Sequence, residues 1–262
     1  MSKNQITHEM NYSNLQVFIS ELKQLQPRYN PVTPGITVSG FEQSYADATV
    51  ARKNLDRSAG IKKDMANIRR PVYEGLESYV VRIIAAMKAL EMPGATITNA
   101  QSLLARIQGQ RIGKPKGRNE DAPPAGETAT PPLHSANPGS NREQVSTAQT
   151  DMENVRGHFS KLYELLGNQP TYTPNETDLQ LPALLAMKNL LEQTNDNAIA
   201  AESAYNTDYA YRYTVFYAPK TGFVDRTKLA KEYVKSIFGP TSAEYGRIKK
   251  IRFKNIVPRK KG

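Results

Sequence analysis

Apolar positions recur at steps of three and four through most of this chain, the spacing that lines one face of an α-helix. Tyr12, Leu15, Ile19, Leu22 and Leu25 mark a short amphipathic helix. It stops at Pro27, whose ring and missing N–H do not suit a helix interior. Residues 27–39 read as an extended loop. Phe41, Tyr45, Ala48, Leu55 and Ala59 then share one face of a long helix. Arg70-Pro71 breaks or kinks it, because the residue before proline avoids the helical region. Val72, Leu76, Tyr79, Ile83, Met87 and Leu90 make the next helix, ended by Pro93-Gly94, and a short one covers Asn99 to Gln108.

The same order returns further on. Val155, Phe159, Leu162 and Leu165 form an opening helix that Gly167 and Pro170 terminate. After a loop through Tyr172 to Leu181, Leu184, Met187, Leu191, Thr194, Ala198, Ala201 and Tyr205 recur in alternating steps of three and four on a helix reaching towards Tyr217. That near-heptad spacing predicts packing against an antiparallel neighbour. A turn at Pro219 to Gly222 follows, then a helix capped by Asp225 and ending at Phe238. The stretch from Arg247 to Val257 alternates basic and apolar residues and reads as extended.

The likeness extends to residues. Gln26-Pro27-Arg28-Tyr29-Asn30-Pro31 returns as Gln169-Pro170-Thr171-Tyr172-Thr173-Pro174, a separation of 143. That is too long for a solenoid and fits one helical module written twice. Tyr79 to Ile84 matches Tyr233 to Phe238 at an offset of 154, which gives the second copy about 11 extra residues near Pro219–Gly222. Between the copies, residues 113–141 hold six prolines, four glycines and one large apolar side chain, Leu133. Such a segment cannot bury enough surface to offset its ordering entropy, so a disordered linker is expected. The domain organisation expected is 1–112, a first helical repeat with a basic end; 113–141, the linker; and 142–262, a second repeat with a basic C-terminal tail.

Charge changes the picture more than composition does. The net charge of +10 is concentrated: residues 104–118 carry Arg106, Arg111, Lys114, Lys116 and Arg118 with no acid. Residues 247–262 carry Arg247, Lys249, Lys250, Arg252, Lys254, Arg259, Lys260 and Lys261, again with no acid. These two stretches hold 13 of the 35 Lys and Arg, leaving 22 basic against 25 acidic residues elsewhere. A nearly neutral body with two basic tails points to a phosphate backbone, where clustered cations gain through counterion release. Solubilising ends are the plain alternative. Ile248, Ile251, Phe253, Ile256 and Val257, mixed into the second tail, suit docking better than solvation. A membrane surface is not expected, since neither tail is a clean amphipathic helix with aromatic anchors.

Candidate chemistry is thin. Cysteine is absent, which removes disulfides, thiolate zinc sites and thiol catalysis and fits a reducing, cytoplasmic setting. The N-terminus has no apolar signal region, and the longest apolar run, Ile83 to Met87, is too short to span a bilayer. His8, His134 and His158 read as surface residues, with no acid three positions before His158 to make a Glu-x-x-His metal pair. Gly109-Gln110-Arg111-Ile112-Gly113-Lys114 is one residue short of a phosphate loop and continues with Pro115 where Ser or Thr should hold magnesium. Tyr205, Tyr209, Tyr213 and Tyr217 form a row that reads as core packing first and as a base-stacking surface second. No catalytic residue, cofactor, metal or small-molecule substrate is expected.

The segments Tyr172 to Leu179, Thr221-Gly222-Phe223-Val224-Asp225, Tyr233 to Gly239, Thr241 to Tyr245 and Ile248 to Phe253 resemble an uncharacterised family of bacterial, internally duplicated helical-bundle proteins. The resemblance covers roughly residues 150–254 and is weaker over the first repeat. It implies a helical, duplicated, cytoplasmic protein and carries over no catalytic residue. The fold class expected is all-α: two repeated antiparallel modules in one pseudo-symmetric bundle. The function expected is non-enzymatic binding or scaffolding, the tails contacting nucleic acid or a ribonucleoprotein. The alternative is a self-assembling structural component of a phage, mobile element or filament.

Overall fold

The computed structural model describes residues 3–109 and 147–256. These form eight α-helices and two short 3-10 turns, with no strand among the described residues. The helices are α1 (Lys3–Gln24), α2 (Val38–Glu74), α3 (Leu76–Ala89), α4 (Gly94–Ile107), α5 (Thr147–Gly167), α6 (Leu181–Tyr217), α7 (Phe223–Phe238) and α8 (Ala243–Lys250). The turns, Pro34–Ile36 and Thr177–Leu179, precede α2 and α6. The all-α class stands, and no described helix is long and apolar enough to cross a membrane. Residues 113–141, expected to be a linker, lie outside the described residues.

Two compact units emerge, one made of Met1–Asp64 with Ile199–Gly262, the other of Met65–Ala198. Each takes helices from both sides of the 113–141 segment, and the boundary falls inside both long helices, α2 and α6. The first unit's core joins Leu15, Phe18 and Leu22 of α1 and Phe41 of α2 to Phe216, Phe223, Val234 and Ile248. The second joins Leu76, Val80, Ile83 and Met87 of α3 to Phe159, Leu162, Leu184 and Leu191. Each fully buried Leu or Phe contributes about 1.5–3 kcal/mol by leaving water. In the second unit α2 and α6 run antiparallel. Arg69 reaches the Asn195 side chain at 3.2 Å and Tyr73 the Leu191 carbonyl at 3.2 Å, four residues on in one helix and four back in the other.

The loops entering α2 and α6 are built alike. The Tyr29 hydroxyl donates to the Ile36 carbonyl, and the Tyr172 hydroxyl donates to the Leu179 carbonyl at 2.8 Å, in each case seven residues on at the end of the 3-10 turn. Both rings are buried, and burial pushes the Tyr172 hydroxyl up to about 12. Thr37 starts α2 by accepting the Gly40 N–H at 3.0 Å. A Cβ at Gly40 would stand 2.2 Å from the Pro34 carbonyl, so the turn seats on the helix only where that side chain is missing.

Three local expectations need correction. Pro71 does not end α2; it sits in the last turn, removes only its own donor, and the break falls at Gly75, whose N–H bonds the Pro71 carbonyl at 3.2 Å. Asp225 is not the cap of α7, because Gly222 holds that position. The Asp225 carboxylate instead accepts the Lys220 N–H and pairs with Lys228 at 2.7 Å, which holds it below the usual carboxylate range. Arg247 to Lys250 are helical rather than extended. Ser242 accepts the Tyr245 N–H at 3.1 Å and nucleates α8, so non-helical chain begins only at Ile251.

Candidate functional site: the basic C-terminal segment and its buried support

The helix α8 and the chain after it sort their residues by face. Ile248 is fully buried, and Ile251, Phe253 and Ile256 pack partly buried against the first unit's core. Arg247, Lys249, Lys250, Arg252 and Lys254 are exposed. The apolar residues therefore seat the segment and leave its cations outward, which accounts for the alternation in the sequence.

Side chains of α1 and α7, rather than a neighbouring strand, hold the backbone of this segment. Asn11 reads Lys254 twice, accepting its N–H at 2.9 Å and donating to its carbonyl at 2.7 Å. Asn14 donates to the Arg252 carbonyl at 2.7 Å, and the Lys231 ammonium to the Ile251 carbonyl at 2.5 Å. Burial lowers the Lys231 ammonium below its ordinary pKa. Phe253 meets Phe18 edge-to-face at 5.7 Å and Phe223 at 6.2 Å.

Beneath Asn11 lies a polar cluster within the core. The Asn11 amide also donates to the Tyr217 hydroxyl at 3.2 Å, which lies 2.8 Å from Nδ1 of His8. Nε2 of His8 faces the Arg212 guanidinium at 3.2 Å. A guanidinium can only donate, so Nε2 accepts, and the neutral ring carries its proton on Nδ1 and gives it to Tyr217. Burial first and then the charge of Arg212 press the His8 pKa down to about 4. Burial pushes Tyr217 up to about 12. His8 is 5% exposed, so the expectation of a surface histidine fails there. The signal was present: His8 and Asn11 continue, at steps of three and four, the stripe of Leu15, Phe18 and Leu22. A polar residue on a core stripe belongs to the buried face when a partner satisfies it, as Arg212 and Tyr217 satisfy His8.

The other predicted residues divide. Arg106 is exposed in the last turn of α4, in the second unit, and its charge helps to lower His158 behind desolvation and Lys161. Arg111, Lys114, Lys116, Arg118, Arg259, Lys260 and Lys261 lie outside the described residues, as does His134. Of the tyrosine row, Tyr217 is buried while Tyr209 is 43% exposed beneath the Arg212 guanidinium, so the row runs from core to surface rather than forming one platform. Among the described residues, no three His, Asp or Glu side chains gather as a metal site.

No protein-family model matches the chain, and no curated protein or solved structure matches it either. The fold defines its class: an all-helical protein with two cores, one of them carrying a seated basic segment.

Proposed function

We propose that the protein is a duplicated helical module that binds nucleic acid, without catalysis, through the cations of its C-terminal segment. One observation carries this: Lys250, Arg252 and Lys254 stand exposed on a segment fixed by hydrogen bonds and Phe253, and no acid pairs with them among the described residues. Arg247 has only a loose contact with Glu21 at 3.4 Å, and Lys249 only the Tyr245 ring at 5.9 Å. Cations held in place without partners lose little on meeting phosphates and release counterions from them. A cytoplasmic site fits the cysteine-free chain.

Element boundaries support the duplication. The long helices α2 and α6 are both 37 residues and start 143 apart, as do the two 3-10 turns. Beyond them α3 and α7 start 147 apart, and Leu76, Val80, Ile83 and Met87 then align with the buried Phe223, Thr227, Ala230 and Val234. The offset of 154 misses by one heptad, a shift that keeps the same helix face and so escapes sequence pattern. The extra length at Pro219–Gly222 is thus four residues rather than 11. Each compact unit combines the first part of one copy with the second part of the other.

A second reading, a self-assembling structural component, draws on exposed apolar residues of the long helices, Ile61 at 43% and Ile68 at 52% on α2 and Ile199 at 42% on α6. Purification separates the two. A nucleic-acid binder leaves the cell with material absorbing near 260 nm that nuclease removes, whereas an assembly elutes as a large species that nuclease leaves intact, and that second result would overturn the proposal.

A further inference from the structure

Arg212 is 8% exposed and no carboxylate forms an ion pair with it among the described residues. Its guanidinium donates to a neutral imidazole and lies over the Tyr209 ring at 5.4 Å, while its Nε is shielded from water and has no acceptor. Buried charges are as a rule paired, because leaving one unpaired costs several kcal/mol. The nearby acids do not fill the role. Glu9 is engaged on both oxygens by Arg52, and Asp208, one turn before Arg212 on α6, makes no ion pair among the described residues. Among the described residues, Tyr209, Tyr213 and Tyr217 from α6 and the Lys254 segment also face this place, and none of them is a carboxylate.

The second unit supplies an internal comparison. Subtracting the offset of 143 from 212 gives Arg69, which also leaves its Nε without a partner. Arg69, however, donates to Asn195 at 3.2 Å, and Asn195 donates in turn to Glu153 at 3.0 Å, so its network ends on a carboxylate. The chain from Arg212 through His8, Tyr217 and Asn11 ends on the backbone of Lys254 instead. The comparison with Arg69 rests on the proposed duplication, whereas the uncompensated charge at Arg212 stands without it.

We propose that Arg212 and His8 form an anion site that takes a phosphate group, supplied either by free phosphate or by the end of a nucleic-acid strand. Arg212 gives the fixed charge and an unused donor; His8 gives the second donor by taking up a proton as the anion enters, since its Nε2 at present only accepts. A dianion then meets two cations. Binding is therefore coupled to proton uptake, and it acts one hydrogen bond away from the Tyr217–Asn11 pair that holds the basic segment.

The test uses the full chain and follows the His8 ring by NMR titration in inorganic phosphate and in chloride of equal ionic strength. Phosphate is expected to raise the His8 pKa by about one unit or more, saturably. The Arg212→Gln variant should lose that response, and Lys250→Gln with Arg252→Gln should keep it, which separates this site from the nucleic-acid surface. A 5′-phosphorylated oligonucleotide that shifts His8 where its unphosphorylated form does not identifies the strand end as the source; no shift with either strand, while inorganic phosphate shifts the ring, identifies free phosphate. The same His8 titration in phosphate and chloride would overturn the site without touching the proposed nucleic-acid binding, and so would an undiminished response in Arg212→Gln.

Discussion

At the residue scale, the His8 ring sits against the Arg212 guanidinium at 3.2 Å. Nothing in the string around His8 tells that its ring faces a guanidinium 204 residues away. Only three-dimensional packing brings Arg212 there, and periodicity reports a face without naming its partner. Protonating His8 would turn Nε2 into a second donor aimed at Arg212, so the folded protein resists that proton. Its folded pKa, about 4, lies below the ordinary histidine value of 6.5. The unfolded chain thus binds more protons between these values, and the stability contributed by neutral His8 is full above pH 6.5 and lost as pH falls through 4. Urea midpoints should fall over that window by the equivalent of about 3 kcal/mol more in the natural chain than in His8→Gln. Identical pH profiles for the two would show that His8 is not held neutral by its surroundings.

Element by element, much of the fold was legible. The amphipathic stripes of α1, α3, α5 and α7 were readable because one face of each is apolar, and Pro27 and Pro93 stop helices where their chemistry requires. Pro71 misled, since a proline near a helix end loses little and sequence cannot say how many residues follow it. Arg247 to Val257 misled in part: alternation describes the seated segment from Ile251 onward, while the Ser242 cap makes a helix of the residues before it. The seat can be tested by its two kinds of contact. Phe253→Ala should cost about 2–4 kcal/mol through the cavity it leaves between Phe18 and Phe223. Asn11→Ala should cost about 1–3 kcal/mol by stripping the Lys254 backbone and the Tyr217 hydroxyl of their partner. Chemical denaturation measures both, and wild-type stability in either variant would mean the segment does not rest on α1. Removing residues 247–262 whole takes Ile248 and Phe253 with the cations, so loss of binding in that truncation would confound charge with core.

For the whole molecule, the repeated hexapeptide points to the proposed duplication but not to how its copies are arranged. The two cores each draw on both sides of the 113–141 segment: Phe18 and Phe41 with Phe216 and Phe223, and Val80 and Met87 with Phe159 and Leu162. Limited proteolysis should therefore cut first between Gly113 and Asn141, in the Pro- and Gly-rich stretch, and the two fragments should still elute together without denaturant. Fragments that part on a sizing column would contradict the shared cores.

The central claim is that the seated cations grip a phosphate backbone, and the salt dependence of duplex binding tests it most directly. With about six phosphates engaged, log affinity of the natural chain should fall against log salt with a slope of roughly −5. Replacing Lys250, Arg252 and Lys254 by Gln, all exposed and outside the core, should weaken binding to unrelated sequences alike and flatten that slope by about 3. An unchanged affinity and slope in the triple variant, with its fold intact by circular dichroism, would contradict the account.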